Sequence, residues 1–302
     1  MIKKFITIVA LAATTFTYAN AQILYRITSD KQQKPSYIIG TLHVEDGSYL
    51  DSIPGARAAL DEVEQVYGEI DINTMTNPDS LATMQKGMTI EDGKTIKDIL
   101  TAEQFDKLDK YVESIVGAKF SSPLLFQQMG QLNPAALEQT LEIVKILKMK
   151  QGKFNPSNTI DTYIQNVAIE KGKKTYGLET MAFQTKTIFG RPMSEMIDEL
   201  ICSIDNAEFF DKQTQLLIDT YHAQDAEKLM DILVMKMGNK CDITEEYMNN
   251  ELFNRNNNWV KAIPSIIKAH STLFAVGAGH LGGENGVLNL LRKAGFTVEG
   301  VK

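Results

Sequence analysis

The sequence predicts an α/β fold: a mixed sheet built from the N- and C-terminal segments, with a largely helical central insert over about residues 95–265. Three observations predict it. Two apolar runs near opposite ends of the chain, Ser36-Tyr-Ile-Ile-Gly40-Thr-Leu-His43 and Thr272-Leu-Phe-Ala-Val-Gly277-Ala-Gly-His280, each read as a strand that stops at Gly-x-x-His. Strand, helix and strand signals follow one another between residues 37 and 72, the unit from which α/β sheets are made. The centre of the chain instead carries helix caps and helical spacing of its apolar residues.

The chain begins with Lys3 and Lys4, an apolar run over 5–16 and the small-x-small pattern Ala19-Asn20-Ala21. This is the pattern of a secretory signal over residues 1–21, and the run is shorter than the roughly 20 residues a helix needs to cross a bilayer. The reading predicts export to a periplasm or the extracellular space; an uncleaved signal would leave the protein anchored to a membrane. Residues 22–302 then form one domain, long enough for a sizeable core, and no later segment has the length and apolarity to span a membrane. Loss of Lys3 and Lys4 takes the formal charge from -7 to -9. That balance, with no basic stripe, excludes a nucleic-acid backbone binder. Cys202 and Cys241 lie next to helical sequence, where pairing and two free thiols are both open.

Residues 23–27 and 37–39 are short β-branched and aromatic runs across a polar turn at 29–35. A helix is predicted over 55–65. Alternation returns over 66–72, with Val66, Gly68, Ile70 and Ile72 on one face and Tyr67, Glu69 and Asp71 on the other. Thr101 with Gln104 makes a capping box for a helix to Val116, and Pro134 starts another to Met149. A helix over 160–170 precedes a strand over 175–178 that delivers Glu179. Helical sequence continues over 194–220, 225–235 and from Thr244 toward Asn254, with Pro264 as a start or kink. A strand over 272–276, a glycine-rich loop, a helix over 287–293 stopped by Gly295, and a strand over 296–301 close the chain.

His43 and His280 are two of only four histidines, at the same offset past the same kind of strand, where α/β sheets bind ligands. Gly40, Gly277 and Gly279 permit tight turning and close approach of a ligand to the backbone. Glu69 and Glu179 occupy similar strand-end positions, and a carboxylate among the apolar neighbours of Glu179 needs a partner or a cation. His43, Glu69, Glu179 and His280 together make a sensible ligand set for a divalent transition metal: zinc, manganese, iron or cobalt. Such an ion acidifies water and polarises a carbonyl. Glu69 or Glu179 would then serve as base, and Arg255 would clamp a carboxylate or an oxyanion. His222 and His270 lack a comparable setting. There is no His-Glu-x-x-His, no P-loop and no Gly-x-Ser-x-Gly elbow.

The set Tyr37-Ile-Ile-Gly-Thr-Leu-His43, Tyr67-Gly-Glu69, Tyr176-Gly-Leu-Glu-Thr180 with Gln184, Arg255-Asn256 with Trp259, and Ala275-Val-Gly-Ala-Gly-His-Leu-Gly-Gly-Glu-Asn-Gly286 resembles the TraB/GumN family across nearly all of residues 22–302. The resemblance implies a fold similar to the haem-binding ChaN proteins and an erythromycin-esterase-like group. It also implies kinship with the Tiki proteases, which cleave secreted Wnt proteins in a metal-dependent way, with manganese or cobalt preferred. The pattern carries to Gly40 and His43, Gly277 and His280, Glu69 and Glu179; the Wnt substrate does not carry over. The expected function is that of an exported metal-dependent hydrolase acting on a peptide or small molecule. Two other classes remain open: an envelope protein that binds haem, a metal or a peptide without turnover, and an interaction protein that presents the helical insert.

Overall fold

The computed structural model describes residues 22–302 apart from 31, 33 and 152, so the signal read over 1–21 lies outside the described residues. The fold is mixed α/β. Six strands, β1 (Leu24–Thr28), β2 (Ser36–Thr41), β3 (Gln65–Gly68), β4 (Lys174–Gly177), β5 (Thr272–Gly277) and β6 (Thr297–Gly300), form one sheet in the order β4-β3-β5-β2-β1-β6. Four strands, β4, β3, β5 and β2, run parallel; β1 pairs antiparallel with β2, and β6 antiparallel with β1, so β1 alone is reversed. Every residue of β2 is buried, and so are the first five of β5, which is why both read as unbroken apolar runs.

The register brings the strand ends level. Thr41 pairs with Gly277, Gly68 with Ala275 and Gly68 with Gly177. The segments that follow β2, β3, β4 and β5 therefore leave the sheet along one edge. Those segments carry His43, Glu69, Glu179 and His280.

β3 stops at Gly68, short of the alternation over 66–72. Gln165 causes the break. Its amide Nε2 donates to Ile70 O at 3.1 Å and its Oε1 accepts from Ile72 N–H at 3.0 Å, so a side chain substitutes for the next strand's ladder. A Cβ on Gly68 would lie 2.4 Å from that same Nε2, so glycine is required for the approach. Several helices fall where capping chemistry predicts. Ala102–Val116 has its Thr101–Gln104 box and stops at Gly117 in the left-handed region, while Pro134–Met149, Ile160–Glu170 and Val287–Lys293 fall as expected. The helix Asn254–Ala269 runs through Pro264, so the proline lies inside the helix and does not start it. Trp259, Ile263 and Ile267, spaced by four, bury one continuous face that holds it together.

Two main apolar cores result. The larger surrounds the sheet and takes in residues from Ile23 to Val298, including the faces of Ile160–Glu170, Asn254–Ala269 and Val287–Lys293. The second, around Ile96, Leu108, Val112, Phe120, Leu137 and Leu200, belongs to the helical region alone. Cys202 and Cys241 are joined in a disulfide across 39 residues. It ties the helix Met193–Asp205 to the segment that leads through Glu245–Met248 and a π-helical turn, Asn249–Phe253, into Asn254–Ala269.

Two outcomes are expected. Replacing Cys202 and Cys241 by serine should lower unfolding free energy by about 4 kcal/mol, because a loop of this length is freed in the unfolded chain; denaturant titration checks it. Lys173 Nζ donates to Leu60 O and Asp61 O at 2.7 Å each and also to Val63 O, closing the C-terminal end of the helix Ala56–Glu62. Lys173→Met should cost roughly 1–2 kcal/mol in the same measurement, since three carbonyls lose a charged donor.

Candidate active site

Glu69 is the first residue past β3 and Glu179 the second past β4, and their backbones are joined by Glu179 N–H to Glu69 O at 2.9 Å. Both side chains turn toward Arg255, which the helix Asn254–Ala269 supplies in its first turn. Arg255 Nη2 donates to Glu69 Oε2 at 2.5 Å and to Glu179 Oε2 at 2.9 Å. Its Nε reaches both oxygens of Glu179, at 2.9 and 3.1 Å. Its Nη1 donates to Glu251 O at 3.0 Å and faces His280 Nε2 at 3.3 Å. The π-helical turn just before the helix puts the Glu251 carbonyl within that reach. All five N–H groups of Arg255 thus have partners within the protein.

Glu179 is fully engaged as well. Trp259 Nε1 adds a 3.0 Å hydrogen bond to its Oε1, and its side chain is only 5% exposed. Glu69 divides its two oxygens. Oε2 takes Arg255 and Gln184 Nε2, the latter at 3.0 Å, while Oε1 accepts Gly277 N–H at 2.8 Å and lies 3.8 Å from His280 Nε2. Burial opposes the charge on Glu69, but the imidazoles of His280 and His43, Arg255 and the Gly277 N–H outweigh it and bring the carboxyl down to about 2. It is an anion at any working pH.

His280 sits one turn past β5, with its side chain 5% exposed and its ring 4.4 Å from that of Trp259. Its Nδ1 meets Asn256 Oδ1 at 2.6 Å. Asn256 directs its Nδ2 at the carbonyls of Asn285 (2.9 Å) and His280 (3.4 Å), so Oδ1 is the acceptor and His280 Nδ1 carries the proton. Burial then holds the ring neutral, with its pKa lowered to about 3 despite the pull of Glu69. Nε2 is left with a lone pair.

His43 is the exposed counterpart, with 66% of its side chain open to solvent. Its Nδ1 lies 3.0 Å from Asp161 Oδ2, and the other oxygen of Asp161 accepts the hydroxyl of Thr41. The Asp161 carboxylate beside it raises the pKa of the ring above the ordinary imidazole value.

The two histidines and Glu69 meet over Gly277. A Cβ on this residue would lie 3.2 Å from Glu69 Oε1, 3.6 Å from His280 Cδ2 and 3.6 Å from His43 Nε2. The absent side chain opens a small hollow bordered by one carboxylate oxygen and two imidazole edges. The other two glycines serve packing. A Cβ on Gly40 would strike Leu281 Cδ1 and Ala278 Cβ, at 2.7 and 2.9 Å, and one on Gly279 would strike Leu233 Cδ1 at 2.6 Å. Among the described residues, no three His, Cys, Asp or Glu side chains are placed so that together they could hold a metal ion.

The structure thus gathers His43, Glu69, Glu179, Arg255 and His280 into one neighbourhood, with the carboxylate of Glu179 committed to Arg255 and that of Glu69 facing the hollow. Asp161 is the participant that sequence reasoning missed. It lies in the first turn of a helix capped by Thr159, where an acidic residue has an ordinary role at the helix end, and its partner is 118 positions away.

Comparison with known proteins finds distant relatives over most of the chain. The curated relatives include proteins named metalloprotease TIKI1 from Danio rerio, 22% identical over 306 aligned positions, and from Homo sapiens, 23% identical over 307. A metalloprotease TIKI homolog from Nematostella vectensis is 22% identical over 316. These alignments cover 89%, 89% and 90% of this chain but 61%, 60% and 66% of the relatives, so the chain spans about three fifths of their length. No solved structure matches. The profile of the TraB/PrgY/gumN family matches residues 23–300, which takes in all six strands and every residue around the hollow, and the chain belongs to that family.

Proposed function

We propose that this chain is an exported metal-dependent hydrolase that cleaves peptides, with the hollow over Gly277 as its reacting centre. The observation that carries the reading is the convergence there of His43 Nε2, the His280 ring and Glu69 Oε1. Each imidazole has its Nδ1 side engaged by an oxygen acceptor, the arrangement found behind metal-bound histidines. The metalloprotease names of the relatives support the same class.

The donor set fits a divalent ion such as manganese, cobalt or zinc: two imidazoles and one carboxylate oxygen, with one side of the hollow open to solvent. His43, His280 and Glu69 would hold it. Bound there, the ion would supply Lewis acidity and an acidified water. Its binding requires the chain to give up the 3.3 Å contact between Arg255 Nη1 and His280 Nε2.

The protein's own residues prepare this centre. Gly277 N–H and Arg255 fix both oxygens of Glu69. Asn256 and burial keep His280 neutral, while Glu179 and Trp259 hold Arg255 in place. Glu69, Glu179 and Arg255 together carry a formal charge of about -1, counting two carboxylates against one guanidinium. With both carboxylates and the guanidinium buried, that surplus negative charge beside the open side of the hollow favours a cation. Glu69 is thus assigned to the reacting side and Glu179 to seating Arg255.

Three outcomes are expected. Metal-free protein should bind Co²⁺ or Mn²⁺ in isothermal titration and gain activity on a peptide library; H43A and H280A should each weaken binding by at least about tenfold, as the loss of a direct ligand should exceed that of an outer partner. Unaltered binding in both variants would sink the reading. Glu69→Gln should abolish hydrolysis while leaving the fold intact by circular dichroism. Arg255→Met should cost roughly 3–5 kcal/mol of stability by denaturant titration, because two buried carboxylates lose their shared cation.

A further inference from the structure

We propose that Asp161 is a positioning residue for His43, fixing the exposed imidazole so that its Nε2 faces the hollow over Gly277. The consequence for metal affinity rests on the function proposed above; the positioning itself does not.

Among the described residues, Asp161 makes the one hydrogen bond to the His43 ring. A ring 66% open to solvent at the start of a loop would otherwise rotate through its staggered positions. Asp161 itself cannot turn freely. Its Oδ1 accepts the hydroxyl of Thr41, the final residue of β2 and 1% exposed, so one carboxylate bridges the end of the strand and the loop that follows it. Thr41 pairs with Gly277 across the sheet, which registers the bridge directly against the hollow.

The helix that supplies Asp161 is a rigid mount. Ile160, Ile164, Val167 and Ala168 lie in the main core, Gln165 is bonded to Ile70 and Ile72, and Ile160 N–H donates to Glu45 O at 3.0 Å. Asp161 lies in its first turn, where unpaired N–H groups favour a negative charge.

His280 has a parallel arrangement. Asn256, also borne by a core helix, takes its Nδ1 and leaves Nε2 directed inward. The two histidines thus have helix-borne oxygen acceptors of different chemistry, a neutral amide for the buried ring and a carboxylate for the exposed one. A carboxylate on Nδ1 both orients the ring and raises the basicity of Nε2. Neither sequence neighbour of Asp161, Ile160 or Thr162, announces this role; the three-dimensional bridge assigns it.

The experiment compares wild type, D161A and D161N in the metal-free and Co²⁺-loaded states. In the metal-free protein, the His43 Nδ1 proton should give a downfield, exchange-protected NMR resonance that D161A lacks. Co²⁺ affinity should fall by roughly 10–100-fold in D161A, with an altered visible absorption spectrum, and by less in D161N, whose amide oxygen can still accept the Nδ1 proton. D161N keeps the shape of the side chain and reads the effect even if D161A folds poorly. Retention of the resonance in D161A, or wild-type Co²⁺ affinity and spectrum in both variants, would overturn the proposal. If wild-type protein binds no Co²⁺, the metal reading fails, and the resonance alone decides whether Asp161 positions His43.

Discussion

The guanidinium of Arg255 is the contact on which the rest of the site depends. It joins two carboxylates from the ends of neighbouring parallel strands to a helix whose arginine lies 76 positions beyond Glu179 in the chain. Side-chain exposures of 7% for Arg255 and 9% for Glu69 leave little water to compensate any of these charges. A buried ion pair survives such desolvation only when its geometry is good and its remaining hydrogen-bonding positions are filled. Here they are filled from four directions: Trp259, Gln184, the Gly277 N–H and the Glu251 carbonyl. The same network that neutralises Glu179 turns the free edge of Glu69 toward the histidines.

Much of this was legible in the sequence because strand ends leave strong local marks. The two Gly-x-x-His segments announced both histidines, and the apolar runs before them identified β2 and β5. Helix bounds such as Ala102–Val116 followed from one capping box and one left-handed glycine. What stayed hidden were interactions between distant segments. The end of β3 is set by Gln165, nearly a hundred residues away, and nothing around Gly68 encodes that amide. Pro264 suits a helix start as well as a kink, and only the buried face of Trp259, Ile263 and Ile267 shows that the helix begins ten residues earlier and continues despite the missing donor. Asp161 is indistinguishable from any acidic residue at a helix start until the fold brings Thr41 and His43 to it.

The three glycines of the paired motifs illustrate how one residue type answers different demands. Gly40 and Gly279 let neighbouring segments close against the backbone, whereas Gly277 preserves open space among polar atoms. The helical region has an apolar core of its own around Leu108 and Phe120, and a disulfide secures one of its helices to the segment preceding Arg255. Such a bond persists in oxidising surroundings, which accords with the proposed export. Among the described residues no helix is long and apolar enough to cross a membrane.

The unequal exposure of the two imidazoles gives the hollow a direction. His280 lies beneath the indole of Trp259 and forms its floor, while His43 stands in solvent at its threshold. Solvent therefore meets the His43 ring directly, while the His280 ring is sheltered behind Trp259 and Arg255, so a reagent selective for open imidazoles would tell the two apart.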